Sequence, residues 1–150
     1  MGIFDIDGEL EAIVVAFEAQ RIDYAVCGGV ALAVHGHARA TMDIDVVVPP
    51  ETVDQARTSL RALGYTLEAA PMRFSSGIEV RRVSRVESGE VFTLDLLLVT
   101  PVIEDVWAGR LVVTWRNRPL RVVSREGLIR MKRLAGPPQD NADHEPLRAG

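Results

Sequence analysis

Asp43-Ile44-Asp45-Val46-Val47-Val48, closed by Pro49-Pro50, is the most informative stretch of this sequence. β-Branched residues fill four of its six positions, and the two prolines cannot extend a ladder, so a strand over 43–48 is predicted. Strand side chains alternate between faces, which puts Asp43 and Asp45 on one face, about 6–7 Å apart at the backbone. Ile44 turns into the opposite layer. Two ionised carboxylates on one face repel and resist desolvation unless a cation sits between them. Two readings stay open at this point. The pair is either a set of solvent-facing charges on an edge strand or a ligand set for a hard divalent ion, Mg²⁺ above all.

Working outward, Asp95 lies in Phe92-Thr93-Leu94-Asp95-Leu96-Leu97-Leu98-Val99. A charge inside so apolar a run either reaches the exposed face, pairs with one of the many arginines, or supplies a third carboxylate. A third carboxylate from another strand is what a site for two divalent ions requires. Upstream, Cys27-Gly28-Gly29-Val30 reads as a strand-to-helix turn. Glycines there let backbone N–H groups approach phosphate at a helix N-terminus, although a plain tight turn has the same signature. Arg39-Ala40-Thr41 leads into Asp43; Arg39 suits a phosphate or a structural ion pair, and Thr41 shares the parity of the aspartates.

The remaining chain predicts a helix capped by Asp7 and carrying Leu10, Ile13, Val14 and Phe17. A buried strand follows at 24–27, then a helix to about Val34. Val53, Ala56, Leu60 and Leu63 mark another helix, stopped at Gly64. Strands are expected over 65–69, 78–83 and 91–99, and a hairpin of 111–115 with 120–123 across Asn117-Arg118-Pro119. Ser124 caps a last helix with Leu128, Ile129, Met131 and Leu134, broken at Gly136-Pro137-Pro138, and the tail from Gln139 is polar. The order implies an α/β (α+β) fold, a mixed sheet in one domain spanning 1–150.

With 47% hydrophobic and 25% charged residues in 150, the chain has the composition of a globular protein. Net charge is −4, so nucleic acid binding would need local clustering of basic groups. Sixteen of the seventeen basic residues are arginine, and the single lysine is Lys132. No apolar run is long enough for a membrane span, and Met1–Asp5 lacks the basic start of a signal peptide. A lone Cys27 fits a reducing compartment, and the cytoplasm is expected. His35 and His37, with only His144 besides, are too few for a closed zinc site. Cys27 reads as a small buried thiol. Arg81, Arg82 and Arg85 read as a solvated basic face, or else as an RNA or polyphosphate contact.

Gly28-Gly29-Val30-Ala31, Arg39-x-Thr41-x-Asp43-x-Asp45 and the distal Asp95 together resemble the DNA polymerase β-like nucleotidyltransferase superfamily. They are most similar to its minimal bacterial members, including AbiEii-type toxins of abortive-infection and toxin–antitoxin systems. Leu128-Ile129-x-Met131-Lys132-x-x-Ala135-Gly136 and Gln139-Asp140-x-x-Asp143 are similar to the closing motif of that branch. Pro137-Pro138 departs from it, because an Arg often follows the Ala-Gly pair there.

The resemblance implies helices packed on one side of the sheet and a site at the sheet edge. It implies Asp43 and Asp45 as ligands of two Mg²⁺ ions with bound nucleoside triphosphate, Mn²⁺ being an alternative. Asp95 would bind the catalytic metal and help take the acceptor's proton. Gly28 and Gly29 would cradle phosphates, with Arg39, Thr41 and Lys132 also nucleotide-binding. Asp140 and Asp143 match in type, with no assigned role. The implied reaction moves a nucleoside monophosphate to a hydroxyl, on the 3′ end of a tRNA or a protein side chain. An antitoxin or a second copy of the chain could complete the acceptor surface. Two rivals stay open: an antibiotic-type small-molecule nucleotidyltransferase, and a non-catalytic module that binds nucleotide or a partner.

Overall fold

A computed structural model of the chain describes residues 5–36 and 43–135. Arg39, Thr41, His37, Asp140, Asp143, His144 and the polar tail lie outside the described residues.

The first helix, α1 (Ile6–Ala19), buries Ile6, Leu10, Ile13, Val14 and Phe17 on one stripe. Its cap is Asp5, two residues earlier than expected, whose Oδ1 accepts from the Gly8 N–H at 3.0 Å. Next come β1 (Ala25–Cys27), α2 (Gly28–Val34), β2 (Ile44–Val48) and α3 (Val53–Ala62). Gly64 ends this last helix region with φ of +100°, a conformation that favours glycine.

The strand expected over 65–69 is reduced to β3 (Leu67–Glu68), and a short β4 (Met72–Arg73) follows it. The long hairpin β5 (Glu79–Glu87) and β6 (Glu90–Leu98) turns at Ser88-Gly89, and both turn residues have positive φ. After α4 (Glu104–Ala108), β7 (Leu111–Trp115) and β8 (Arg118–Val122) form the expected hairpin. Its turn is Arg116-Asn117, also with positive φ at both residues, and Pro119 stands within β8 opposite Thr114. Proline is tolerated there because β1 meets β8 only at Val122. The last helix, α5 (Arg125–Ala135), starts beside Ser124, whose Oγ accepts from the Gly127 N–H at 3.0 Å. Ser124→Ala is expected to cost about 1 kcal/mol in urea unfolding, the usual worth of such a cap.

The strands make one mixed sheet in the order β3-β5-β6-β2-β1-β8-β7, with β4 beside β5. β2 runs parallel to β6 and antiparallel to β1, and β1 is parallel to β8. The mixed sheet carrying helices agrees with the expected α/β (α+β) class. Ile44, Val46, Leu94 and Leu96 are all buried on one face of the sheet centre. Arg85 shares the parity of Val83, which pairs with Leu94, and reaches Glu9 of α1 at 2.6 Å. Helix α1 therefore lies over that face, in contact with α3, while α2 and α4 each contact α5.

Arg85 is a structural residue and not part of a solvated basic face. Its guanidinium lies 4.4 Å from the Phe92 ring centroid and pairs with Glu9 and Glu87, and Tyr65 Oη donates to Glu9 at 2.6 Å. Removing Arg85 leaves the partly shielded Glu9 carboxylate with the Tyr65 hydroxyl as partner but no counter-charge from Arg85. Arg85→Ala is expected to lower unfolding free energy by about 3 kcal/mol, read from the urea midpoint. Among the described residues, no helix is long and apolar enough to cross a membrane.

Candidate active site

The opposite face of the sheet centre carries the polar groups. Register pairs Cys27 with Asp45, Asp45 with Asp95, and Asp95 with Arg82. Residues aligned across neighbouring strands point to the same face, so these four form one row across β1, β2, β6 and β5. Asp45 and Asp95 sit on adjacent parallel strands, whose backbones are about 4.8 Å apart. Asp43 precedes β2 and is exposed.

Asp45 is strongly perturbed. Burial, then the charges of Asp95 and Asp43, push its carboxyl up to about 7, and Arg82 offsets only part of this. The Cys27 thiol is buried and pushed up by burial, then by Asp45 and Asp95. That favours an inert thiol over a nucleophile.

Gly28 sits directly over Asp45. Its φ is +68°, and a Cβ placed there would fall 2.2 Å from Asp45 Oδ2. Only glycine lets the turn from β1 into α2 come so close to the carboxylate. The turn and the acidic row are thus one locus, with Gly28 and Gly29 opening α2.

Asp95 is held by an arginine. Arg82 Nε donates to Asp95 Oδ1 at 2.8 Å and Nη2 donates to Oδ2 at 3.0 Å, a bidentate fork. Arg82 was grouped by sequence with a solvated basic face, and that reading missed its partner. Lys132 is exposed on α5. α5 contacts α2, whose first residue is Gly28.

Among the described residues, no three His, Cys, Asp or Glu side chains converge into a ready metal cage. Asp95 has both oxygens engaged by Arg82, and Asp43 is exposed just ahead of β2. The donor chemistry nevertheless suits a hard divalent ion. Burial, with repulsion from Asp95 and Asp43 added, keeps Asp45 partly protonated near neutrality, and a cation with oxygen ligands would relieve that repulsion.

An acidic row beside a glycine turn, on a mixed sheet, has the layout of a nucleotidyl-transferring enzyme. The chain belongs to such a family: the sequence profile of the family described as uncharacterised nucleotidyltransferase matches residues 4–129. Among solved structures, the chain is similar to TM1012 from Thermotoga maritima, a candidate nucleotidyltransferase. The TM-score is 0.65 at 17% identity, over 93% of this chain and 88% of that one. It is also similar to ANT(2")-Ia, solved in complex with adenylyl-2"-tobramycin, at TM-score 0.58 and 14% identity over 95% of this chain and 84% of that one. A solution structure of the antibiotic-resistance factor ANT(2'')-Ia gives 0.53 and 16%, over 80% and 65%. At these identities the likeness is one of fold. No curated protein matches the sequence.

Proposed function

We propose that this nucleotidyltransferase acts in the cytoplasm as a single domain spanning 1–150. It moves a nucleoside monophosphate from a nucleoside triphosphate to the hydroxyl of a macromolecular acceptor. Asp43, Asp45 and Asp95 hold Mg²⁺, with Mn²⁺ able to replace it, as two ions with the bound triphosphate. The observation that carries this reading is the pairing of Asp45 with Asp95 directly under the Gly28 turn. When bound, the ions would supply charge neutralisation at the attacked phosphate and at the leaving pyrophosphate.

The chain's own residues do the rest. Gly28 and Gly29 leave room for phosphate oxygens at the start of α2. Asp43 and Asp45 would hold the counter-ions of the triphosphate. Asp95 also takes the proton of the acceptor hydroxyl. Arg39, Thr41 and Lys132 are assigned to the nucleotide as flanking contacts.

For the acceptor, the 3′ end of a tRNA or a protein side chain is favoured. The role is then that of a toxin in a toxin–antitoxin or abortive-infection system, partnered by an antitoxin or by a second copy. The support is the combined motif pattern from Gly28 to Lys132. A small-molecule acceptor is the second reading, favoured by the fold likeness to ANT(2")-Ia, whose complex holds adenylyl-2"-tobramycin.

Incubation with each α-labelled nucleoside triphosphate and Mg²⁺ tests both readings, with total RNA, cell extract or tobramycin as acceptor. Label is expected on RNA or protein and is expected to vanish in the Asp43→Ala/Asp45→Ala variant. Label on tobramycin alone would select the second reading. No label on any acceptor, with no metal-dependent nucleotide binding, would leave a non-catalytic module.

A further inference from the structure

We propose that Arg82 is a built-in counter-ion, holding Asp95 in the metal-free site and competing with the divalent ion for that carboxylate. The inference rests on the reading of Asp43, Asp45 and Asp95 as metal ligands and goes one step beyond it.

The geometry is specific. The fork engages both oxygens of Asp95, at 2.8 and 3.0 Å, and so occupies the lone pairs best placed for a metal. The pair is well shielded, with the Asp95 side chain 13% exposed and the Arg82 side chain 31% exposed. Arg82 stands at the end of the polar row, on the same face as Asp45 and Asp95.

Position also makes the competition local. The backbone of Arg82 is fixed in the ladder opposite Asp95, so only its side chain has freedom to move. Its exposure leaves solvent to swing into when a metal takes the carboxylate. Without any cation, Asp45 and Asp95 would face each other across one strand spacing. Arg82 thus lets the acidic row fold before metal arrives, and the cost is weaker metal binding to the nucleotide-free protein.

Mn²⁺ alone, titrated into nucleotide-free protein and followed by the EPR signal of the free ion, tests this. Arg82→Gln is expected to bind Mn²⁺ about tenfold more tightly than wild type, the order expected for loss of one charge-assisted fork. Arg82→Lys, which keeps the charge without the fork, is expected to fall between. In an Asp95→Asn background, the gain from Arg82→Gln is expected to shrink well below tenfold, because the fork is already gone and only the positive charge remains to be removed. In EDTA, Arg82→Gln is expected to melt below wild type, and Mn²⁺ is expected to raise its Tm more than that of wild type.

A purely structural arginine would give equal or weaker Mn²⁺ binding in both Arg82 variants. That result overturns the inference alone, provided wild type binds Mn²⁺ and Asp45→Asn does not. If wild type and every variant fail to bind Mn²⁺, the inference and the metal reading fall together.

Discussion

Asp45→Asn is expected to raise the stability of the metal-free protein at pH 8 while reducing nucleotidyl transfer by at least about a thousandfold. Both effects come from one carboxyl. Its folded pKa of about 7 lies above the ordinary value of about 3.9. Between those two values the folded protein holds a proton that the unfolded chain has lost. Wild-type stability therefore falls as pH rises from about 4 to 7 and then levels off.

An uncharged amide escapes this loss. The variant's advantage is expected to be absent near pH 4 and on the order of 2–4 kcal/mol above pH 7. Thermal melts of both proteins across that window check the sign. An advantage that grows toward low pH would contradict it. The same proton must leave before a metal binds, so divalent-ion affinity should drop about tenfold per unit below pH 7. Calorimetric titration with Mg²⁺ and a non-hydrolysable triphosphate measures that slope.

Gly28→Ala is expected to have the next largest effect. At φ of +68° an alanine costs about 1–2 kcal/mol, and its methyl would meet Asp45 Oδ2 at 2.2 Å. Either the turn retreats from the carboxylate or the carboxylate turns away from Asp95. Both movements separate the phosphate cradle from the acidic row. A Tm fall of about 4–8 °C is expected, with nucleotide affinity in Mg²⁺ down more than about tenfold. Unchanged nucleotide binding despite the lower Tm would show that the turn does not touch phosphate.

The sequence made the site legible where local rules suffice. Alternation in β2 put Asp45 on one face and Ile44 on the other, and the structure keeps that parity. The apolar run of β6 marked Asp95 as unusual, and the Gly28-Gly29 turn stands where a strand meets a helix. Asp45 opposite Asp95 was beyond reach, because parallel β2 and β6 are joined by a long crossover that fixes no register.

The Arg82–Asp95 pair could have been found. A two-residue turn at Ser88-Gly89 sets Glu87 against Glu90, and counting back along both strands sets Arg82 against Asp95. Ending the strand at Val83 hid that count, since β5 runs on to Glu87. The second hairpin was misread for a related reason. Pro119 was taken as a turn residue, but the turn needs two positive φ values, which Arg116 and Asn117 supply and proline cannot. The expected strand over 65–69 shrank to Leu67–Glu68, both exposed, because that edge offers few partners to hold a longer ladder.

The most direct test is a crystal structure with Mn²⁺ and a non-hydrolysable nucleoside triphosphate, the ion located by its anomalous signal. The expected map places manganese between the carboxylates of Asp43, Asp45 and Asp95, with the phosphates against the Gly28 turn and Arg82 released from Asp95. Manganese and triphosphate bound away from the Asp45–Asp95 face, with the Arg82 fork intact, would contradict the assignment.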